Sequence, residues 1–357
     1  MAINVARYKL NGNIGWGVVA DGGLTPLVGT YETTGDFIRD GRAEARNIAA
    51  AGTENNIPLD HVTLLSPVTQ NQQYVCQGTN YVSHLVESGI DPKTQTFNMI
   101  FRKASSCIAP PNTDVIRPAH VKLLDYELEL GLVFGKKIDG PVHVTWDNLA
   151  DHVAALVVNN DISARDVQLP QWQFYKGKSY RTFGPTGPWL TLIDQDDVKQ
   201  IPKLRLQLFV NGKGRQDALA DDLFFQPPET LTELSGVQDF AEGDLLATGT
   251  PGGVAMQAPK SKLLMFMSKL IPEAKKWEIF INKNVSNPDF LVMSFSLASR
   301  QRMALWTLAH RPTKSFKDNA GDRHGTSARS RHHQRGWARW LVHGQSSRRL
   351  RHSHAGT

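Results

Sequence analysis

VKLLDYELELGLVFGKK, residues 121–137, decides how this chain reads. In an extended strand successive side chains point to opposite faces. Leu124, Tyr126, Leu128 and Leu130 then share one face, and Asp125, Glu127 and Glu129 share the other. The run continues into Leu132, Val133 and Phe134, apolar on both faces, so the strand heads into a core. Like charges stacked on one strand face repel unless something positive sits there. Glu127 and Glu129 lie about 7 Å apart along the strand, from its rise per residue. A divalent cation between them removes the repulsion, and all-oxygen, anionic ligands favour a hard ion such as Mg²⁺, Mn²⁺ or Ca²⁺. For an isolated Glu-x-Glu a solvated strand face is the plainer alternative, so a third ligand is needed.

VVNNDISARDVQ (157–168) offers one. Its Val-Val-Asn-Asn run ends a buried segment, Asp161 follows at the exit, and Arg165, Asp166 and Gln168 come next. A tight polar cluster after a buried element is typical of a site, although a capped turn with a local Asp–Arg pair has the same appearance. TNYVSHLVESG (79–89) reads as a short helix, with Thr79 or Asn80 as cap and Gly89 as stop. His84 and Glu87 are then neighbours at i and i+3. A carboxylate holding one imidazole nitrogen leaves the other free to take a proton from water; a surface His–Glu pair is the alternative. YKGKSY (175–180) supplies Lys176 and Lys178, cations suited to developing negative charge or simply to the surface. Its Gly-Lys-Ser is not a phosphate loop, since that motif needs glycine at position 172 and Trp172 is there. LLATGTPGGVA (245–255) reads as a strand ending in a Gly-rich loop, whose amides and Thr250 hydroxyl can approach a carboxylate closely.

Outward from these motifs, IGWGVVADGGLTPLVG (14–29) alternates around an Asp-Gly-Gly turn, a hairpin signal. GDFIRDGRAEARNIAAAG (35–52) reads as a helix and NNIPLDHVTLLSPV (55–68) as a connector. TWDNLADHVAALVV (145–158) reads as a second helix, with Trp146, Leu149, Val153 and Leu156 at helical spacing. RLQLFVNGK (205–213) is a strand running into an Asn-Gly turn. These elements divide the chain into a small β-rich N-terminal domain (1–66), a second, larger domain (67–300) and a basic tail (301–357). The 357 residues are enough for a sizeable core. No run reaches the ~18 apolar residues of a membrane span, and the start lacks the apolar core of a signal peptide. With Cys76 and Cys107 as its two cysteines, the chain has no disulfide framework and reads as a reduced, cytoplasmic protein.

Five blocks in order resemble the fumarylacetoacetate hydrolase family: CQGTNYVSHLVESG, DYELELGLVFGK, NNDISARDVQ, GKSYRTFGPTGPWL and EGDLLATGTPGGV. The resemblance covers about residues 67–255. It implies an α+β, largely β fold, a mixed β-sandwich roll with a small β-rich N-terminal extension, and a homodimer. It implies a metal site of Glu127, Glu129 and Asp161 holding Mg²⁺, or Mn²⁺ or Ca²⁺, with Asp125 orienting a ligand or a metal water. His84 and Glu87 would sit on a lid and activate water, and Lys178 would stabilise the enolate. Tyr81, Arg165, Gln168, Gly249 and Thr250 would contact substrate. The family commonly has Asp two or three positions after this lysine; Arg181 stands nearby instead, which bears on the Lys178 hydrogen bonds or substrate preference. The implied reaction is hydrolysis of a C–C bond in a 2,4-dioxo acid, an acylpyruvate such as fumarylpyruvate, in catabolism of aromatic compounds. Decarboxylation, hydration or isomerisation of a 2-oxo acid is the alternative within the family, and the fold does not choose among them.

The last 48 residues hold eleven Lys/Arg, two Asp and seven of the twelve histidines, which leaves residues 1–309 at −3 although the whole chain is +6. With no apolar period, this stretch reads as disordered. Nucleic-acid binding through it, using Trp306, Trp337 and Trp340, is a remote alternative, because its arginines fall on no stripe. A shifted reading frame near residues 290–295 is another account. Codons exist for FSLASRQRMALWTLAHRP whose neighbouring frame reads FTGIATADGALDLGTP, a strand–turn–strand pattern, and resequencing the gene tests it.

Overall fold

Two strands buried at every position set the middle of the molecule: Leu128–Phe134 and its antiparallel partner Val153–Asn160. A strand covered on both faces loses the apolar–polar alternation. That explains the misreading of residues 145–158 as a helix. The helical spacing from Trp146 to Leu156 holds for a single turn, Leu149–His152, and the chain is extended from Val153. Val-Ala-Ala-Leu-Val-Val is rich in β-branched residues, and a strand between two neighbours buries all of it where a helix would bury one stripe.

The computed structural model describes residues 2–20, 22–52, 57–171, 174–256, 271–287, 289–290, 300–301 and 304–305. Among these the main sheet has eleven strands. Its order is Ile57–Pro58, Gly23–Pro26, Asn13–Ala20, Ile3–Leu10, Leu190–Leu192, Val153–Asn160, Leu128–Phe134, Leu245–Ala247, Tyr74–Gly78 and Met99–Lys103, with Thr63–Leu65 also paired to Ile3–Leu10. The fold is thus α+β and strand-rich. The expected hairpin is present, with Ala20 opposite Gly23. Asn11-Gly12 and Asn211-Gly212 both turn with positive φ at each residue, the type I′ geometry that matches strand twist. The first helical region starts at a Thr33–Asp36 capping box and runs on to Ala51. Phe37 on it stacks on Trp16 at 4.4 Å between ring centroids. Within the core Phe134 stacks on Phe240 at 4.1 Å; burying each such ring contributes roughly 1.5–3 kcal/mol.

The pairing pattern brings four chain points to one end of the sheet. Leu128 opposes Asn160, so the start of one central strand meets the exit of the other. Leu245–Ala247 runs antiparallel to Leu128–Phe134 and parallel to Tyr74–Gly78, so both of these also exit there. Glu127, Asp161, the Gly-rich loop and the segment leading to His84 follow from those ends. Cys76 and Cys107 are buried and free. Among the described residues no helix is long and apolar enough to cross a membrane. The expectations for the tail and for the reading frame fall almost wholly outside the described residues.

Candidate active site

Glu127, Glu129 and Asp161 are all buried, and each brings a carboxylate oxygen within 4.8 Å of the others. The strand is interrupted at Tyr126–Glu127, between Leu124–Asp125 and Leu128–Phe134, and backbone bonds fix the break. The Asp161 amide donates to the Glu127 carbonyl at 2.8 Å, and the Glu127 amide donates to Asn160 Oδ1 at 3.0 Å. Two carboxylates from distant parts of the sequence are therefore locked together through the main chain.

Three buried cations face them. Lys178, at the end of the helix Phe174–Lys178, places Nζ 2.5 Å from Glu127 Oε2 and 2.6 Å from Asp161 Oδ2. Gly177 permits this approach, since a Cβ there would stand 2.7 Å from Gln168 Cβ. Lys103 donates to Asp161 Oδ1 at 2.5 Å and to the Phe183 carbonyl at 2.8 Å. Arg165 contacts Glu127 Oε1 at 2.6 Å, Asp125 Oδ2 at 2.8 Å and Gln168 Oε1 at 3.0 Å. Asp125 in turn accepts from the amides of Ala255 (2.9 Å) and Met256 (3.1 Å), and so ties the Gly-rich loop to Arg165. It orients Glu127 through that guanidinium.

The charges respond to this layout. Burial works to raise the Glu127 carboxyl, but Lys178, Arg165 and His84 outweigh it and hold it well below the usual carboxylate range. Glu129 goes the other way: burial first, then repulsion from Asp161 and Glu127, pushes its carboxyl well up. Its contact is a long 3.4 Å bond from the Gly249 amide. Lys103 and Lys178 stay charged despite burial because Asp161 holds both. Three converging, buried, all-oxygen donors, one of them under-compensated, fit a hard divalent ion such as Mg²⁺ or Mn²⁺.

His84 and Glu87 lie on the helix Val82–Glu87. Nδ1 of His84 is 3.5 Å from Glu87 Oε2, and the ring is near enough to Glu127 to act on its ionisation. Glu87 also accepts from the Gly253 amide at 3.0–3.1 Å, Gly252 donates to Ser83 Oγ at 3.1 Å, and the Ser83 amide donates to Asp222 at 3.0 Å. Tyr81, fully buried, holds the N-cap position without a side-chain cap bond. Asn80 does not cap the helix; its side chain bonds Phe225 and the Thr248 carbonyl instead. Gly89 ends the helix at φ +77°, as read. Thr250 donates to the Leu128 carbonyl at 3.0 Å and accepts from Gln216 at 2.7 Å, so its hydroxyl already has partners within the chain. Arg181 is exposed. Sequence reading missed two residues, Lys103 and Gln216. A lysine closing the apolar run Met99–Lys103 looks like a strand end, and a glutamine in a hairpin shows no signal.

Comparison with known proteins gives consistent matches. The family described as Fumarylacetoacetate (FAA) hydrolase C-terminal matches residues 73–279. Human mitochondrial oxaloacetate tautomerase FAHD2A is 32% identical over 259 residues, 71% of this chain and 80% of the relative. Oxaloacetate tautomerase YisK of Bacillus subtilis (strain 168) is 32% identical over 59% of this chain and 69% of its own length. Among solved structures, maleylpyruvate hydrolase from Sphingobium sp. SYK-6, in complex with manganese(II) ion and pyruvate, superposes with a TM-score of 0.58. It is 26% identical, covering 71% of this chain and 90% of that one.

Proposed function

The chain belongs to the fumarylacetoacetate hydrolase family, and from that premise we propose that it is a divalent-metal-dependent enzyme interconverting the keto and enol forms of a small 2-oxo dicarboxylic acid such as oxaloacetate. The observation that supports this most is the buried trio of Glu127, Glu129 and Asp161 with His84 beside it. The relatives named as oxaloacetate tautomerases add weight to that substrate class.

A bound Mg²⁺ or Mn²⁺ would polarise the 2-oxo carbonyl and offset negative charge developing on its oxygen. His84, with Nδ1 turned to Glu87, keeps Nε2 for the proton exchanged at the carbon next to that carbonyl. The C–H pair becomes the C=C bond, the carbonyl oxygen takes up a proton, and no carbon–carbon bond breaks. Without an ion Lys178 bridges Glu127 and Asp161; with an ion between those carboxylates its ammonium would be released toward the anionic end of such an acid. Arg165 holds Glu127 in place, and Gln168 holds Arg165.

A second reading is C–C hydrolysis of an acylpyruvate such as fumarylpyruvate. The strapping of Glu87 to Gly253 favours it, because a fixed His84–Glu87 pair suits activation of water. Water would then add to the distal carbonyl, and the carbon–carbon bond would break to give an acid and pyruvate.

One assay separates the readings. Metal-stripped protein is given oxaloacetate or fumarylpyruvate, with and without Mg²⁺ or Mn²⁺. Enol absorbance and pyruvate are followed together. Metal-dependent decay of the oxaloacetate enol without pyruvate is the expected result. Metal-dependent loss of fumarylpyruvate with pyruvate release would replace it with the hydrolase reading, and pyruvate from oxaloacetate would indicate decarboxylation. Rates indifferent to metal on every substrate would overturn the proposal.

A further inference from the structure

We propose that Lys103 determines which ion the site accepts: by keeping one oxygen of Asp161 it makes that residue a one-oxygen ligand and tunes the site for Mg²⁺ or Mn²⁺ against Ca²⁺. The inference rests on the metal-dependent reading above.

Asp161 lies between two buried lysines that are held very differently. Lys103 has a fully buried side chain, closes a sheet strand opposite Tyr74, bonds the neutral Phe183 carbonyl at 2.8 Å and lies 5.3 Å over the Tyr74 ring. Those contacts persist whatever happens at the carboxylates. Lys178 ends a five-residue helix and also lies over a ring, Phe101 at 5.2 Å, but its two hydrogen bonds go to the carboxylates, Asp161 Oδ2 and Glu127 Oε2, and to no neutral group. A cation taken up among the carboxylates displaces Lys178 and leaves Lys103 where it is. Asp161 then offers Oδ2 and keeps Oδ1 on Lys103.

Glu127 is divided in the same way. Arg165, itself fixed by Asp125 and Gln168, keeps Oε1, and Oε2 remains. The two free oxygens converge, each within 2.6 Å of the Lys178 nitrogen. Ca²⁺ reaches its six to eight oxygens by taking carboxylates with both oxygens, whereas Mg²⁺ is smaller and demands near-octahedral geometry. Two of the three carboxylates limited to one oxygen each therefore disfavour Ca²⁺. Releasing Oδ1 of Asp161 restores the second oxygen.

The test is calorimetric titration of metal-stripped, full-length protein with Mg²⁺, Mn²⁺ and Ca²⁺, in wild type, Lys103→Met and Lys103→Gln. The rise in Tm on adding each ion provides a second scale. Lys103→Met removes the donor, and Lys103→Gln keeps one without the charge. We expect Lys103→Met to shift the ratio of Ca²⁺ to Mg²⁺ affinity about tenfold toward Ca²⁺, with Lys103→Gln between it and wild type. If Lys103→Met does not fold, Lys103→Gln still has to move the ratio in that direction. A ratio within about twofold of wild type in the folded variants, with both affinities moving together, would show that Lys103 acts only as buried charge and would overturn the proposal. A wild type that binds none of the three ions would overturn it together with the metal-dependent reading.

Discussion

The carboxylate wall and the helix bearing His84 face the same site but are held by different means. The wall grows out of strands buried on both faces. Its side chains form an alternating line of charge: Lys103, Asp161, Lys178, Glu127, Arg165, Asp125. Every member is buried, so moving one exposes the next to an uncompensated charge. The helix has six residues, too few to persist alone. It is held by straps from Ser83, Glu87 and the loop at Gly252–Gly253, and Val86 on it is 62% exposed. Breaking those straps costs a few hydrogen bonds and leaves the wall intact. The difference would suit the two roles proposed for them: an ion site needs fixed geometry, while a group that passes a proton can ride on an element able to open for substrate.

The largest expected effect comes from attacking the wall. Glu127→Gln leaves Arg165 and Lys178 with a neutral partner and should cost about 3–5 kcal/mol of stability, read in denaturant titrations. Metal binding should be lost with it, and turnover should drop by about 10³-fold or more, since several kcal/mol of charge stabilisation disappear. Next comes His84→Ala, which should lower kcat by about 10²- to 10⁴-fold while the ion affinity changes far less than in Glu127→Gln. A comparable fall in ion affinity there would mean that helix and wall are one unit, and the contrast would fail.

Acid should weaken the wall's hold on an ion. Burial and the neighbouring carboxylates raise the Glu129 carboxyl, so without an ion it keeps its proton to higher pH than an ordinary glutamate. An ion needs the carboxylate, so binding expels that proton. Affinity should therefore fall by up to about tenfold per pH unit below the raised value and level off above it. The smallest effect belongs to Ser83→Ala, which removes one strap. It should cost about 1 kcal/mol, visible as faster amide exchange in Val82–Glu87 and unchanged exchange in Leu128–Phe134.

Much of this was legible in the sequence because period and charge coincided. Asp125, Glu127 and Glu129 on alternate positions marked a charged face, and Asp161 at the end of an apolar run marked the carboxylate that completes the trio with Glu127 and Glu129. The Asn-Gly and Asp-Gly-Gly turns marked hairpins correctly, since their backbone demands are local. Val153–Asn160 misled because burial on both faces erases the alternation that marks a strand. Lys103 was invisible for a different reason. Its meaning lies in a contact to Asp161, 58 positions along the chain, and no local pattern records that. Arg165 and Thr250 read from the sequence as substrate contacts; in the fold their side chains bond Asp125, Glu127, Gln168, Leu128 and Gln216, partners that only the fold reveals.

The most direct test of the central claim, that the carboxylate trio holds a divalent ion on which a 2-oxo acid docks, is a calorimetric titration with oxalate, a small dianion resembling an enolised 2-oxo acid. Metal-stripped protein is titrated before and after loading with Mn²⁺. The account predicts one Mn²⁺ per chain and oxalate binding only in the loaded protein, with both lost in Glu127→Gln. Oxalate binding equally well without Mn²⁺, or Mn²⁺ binding untouched by Glu127→Gln, would contradict it.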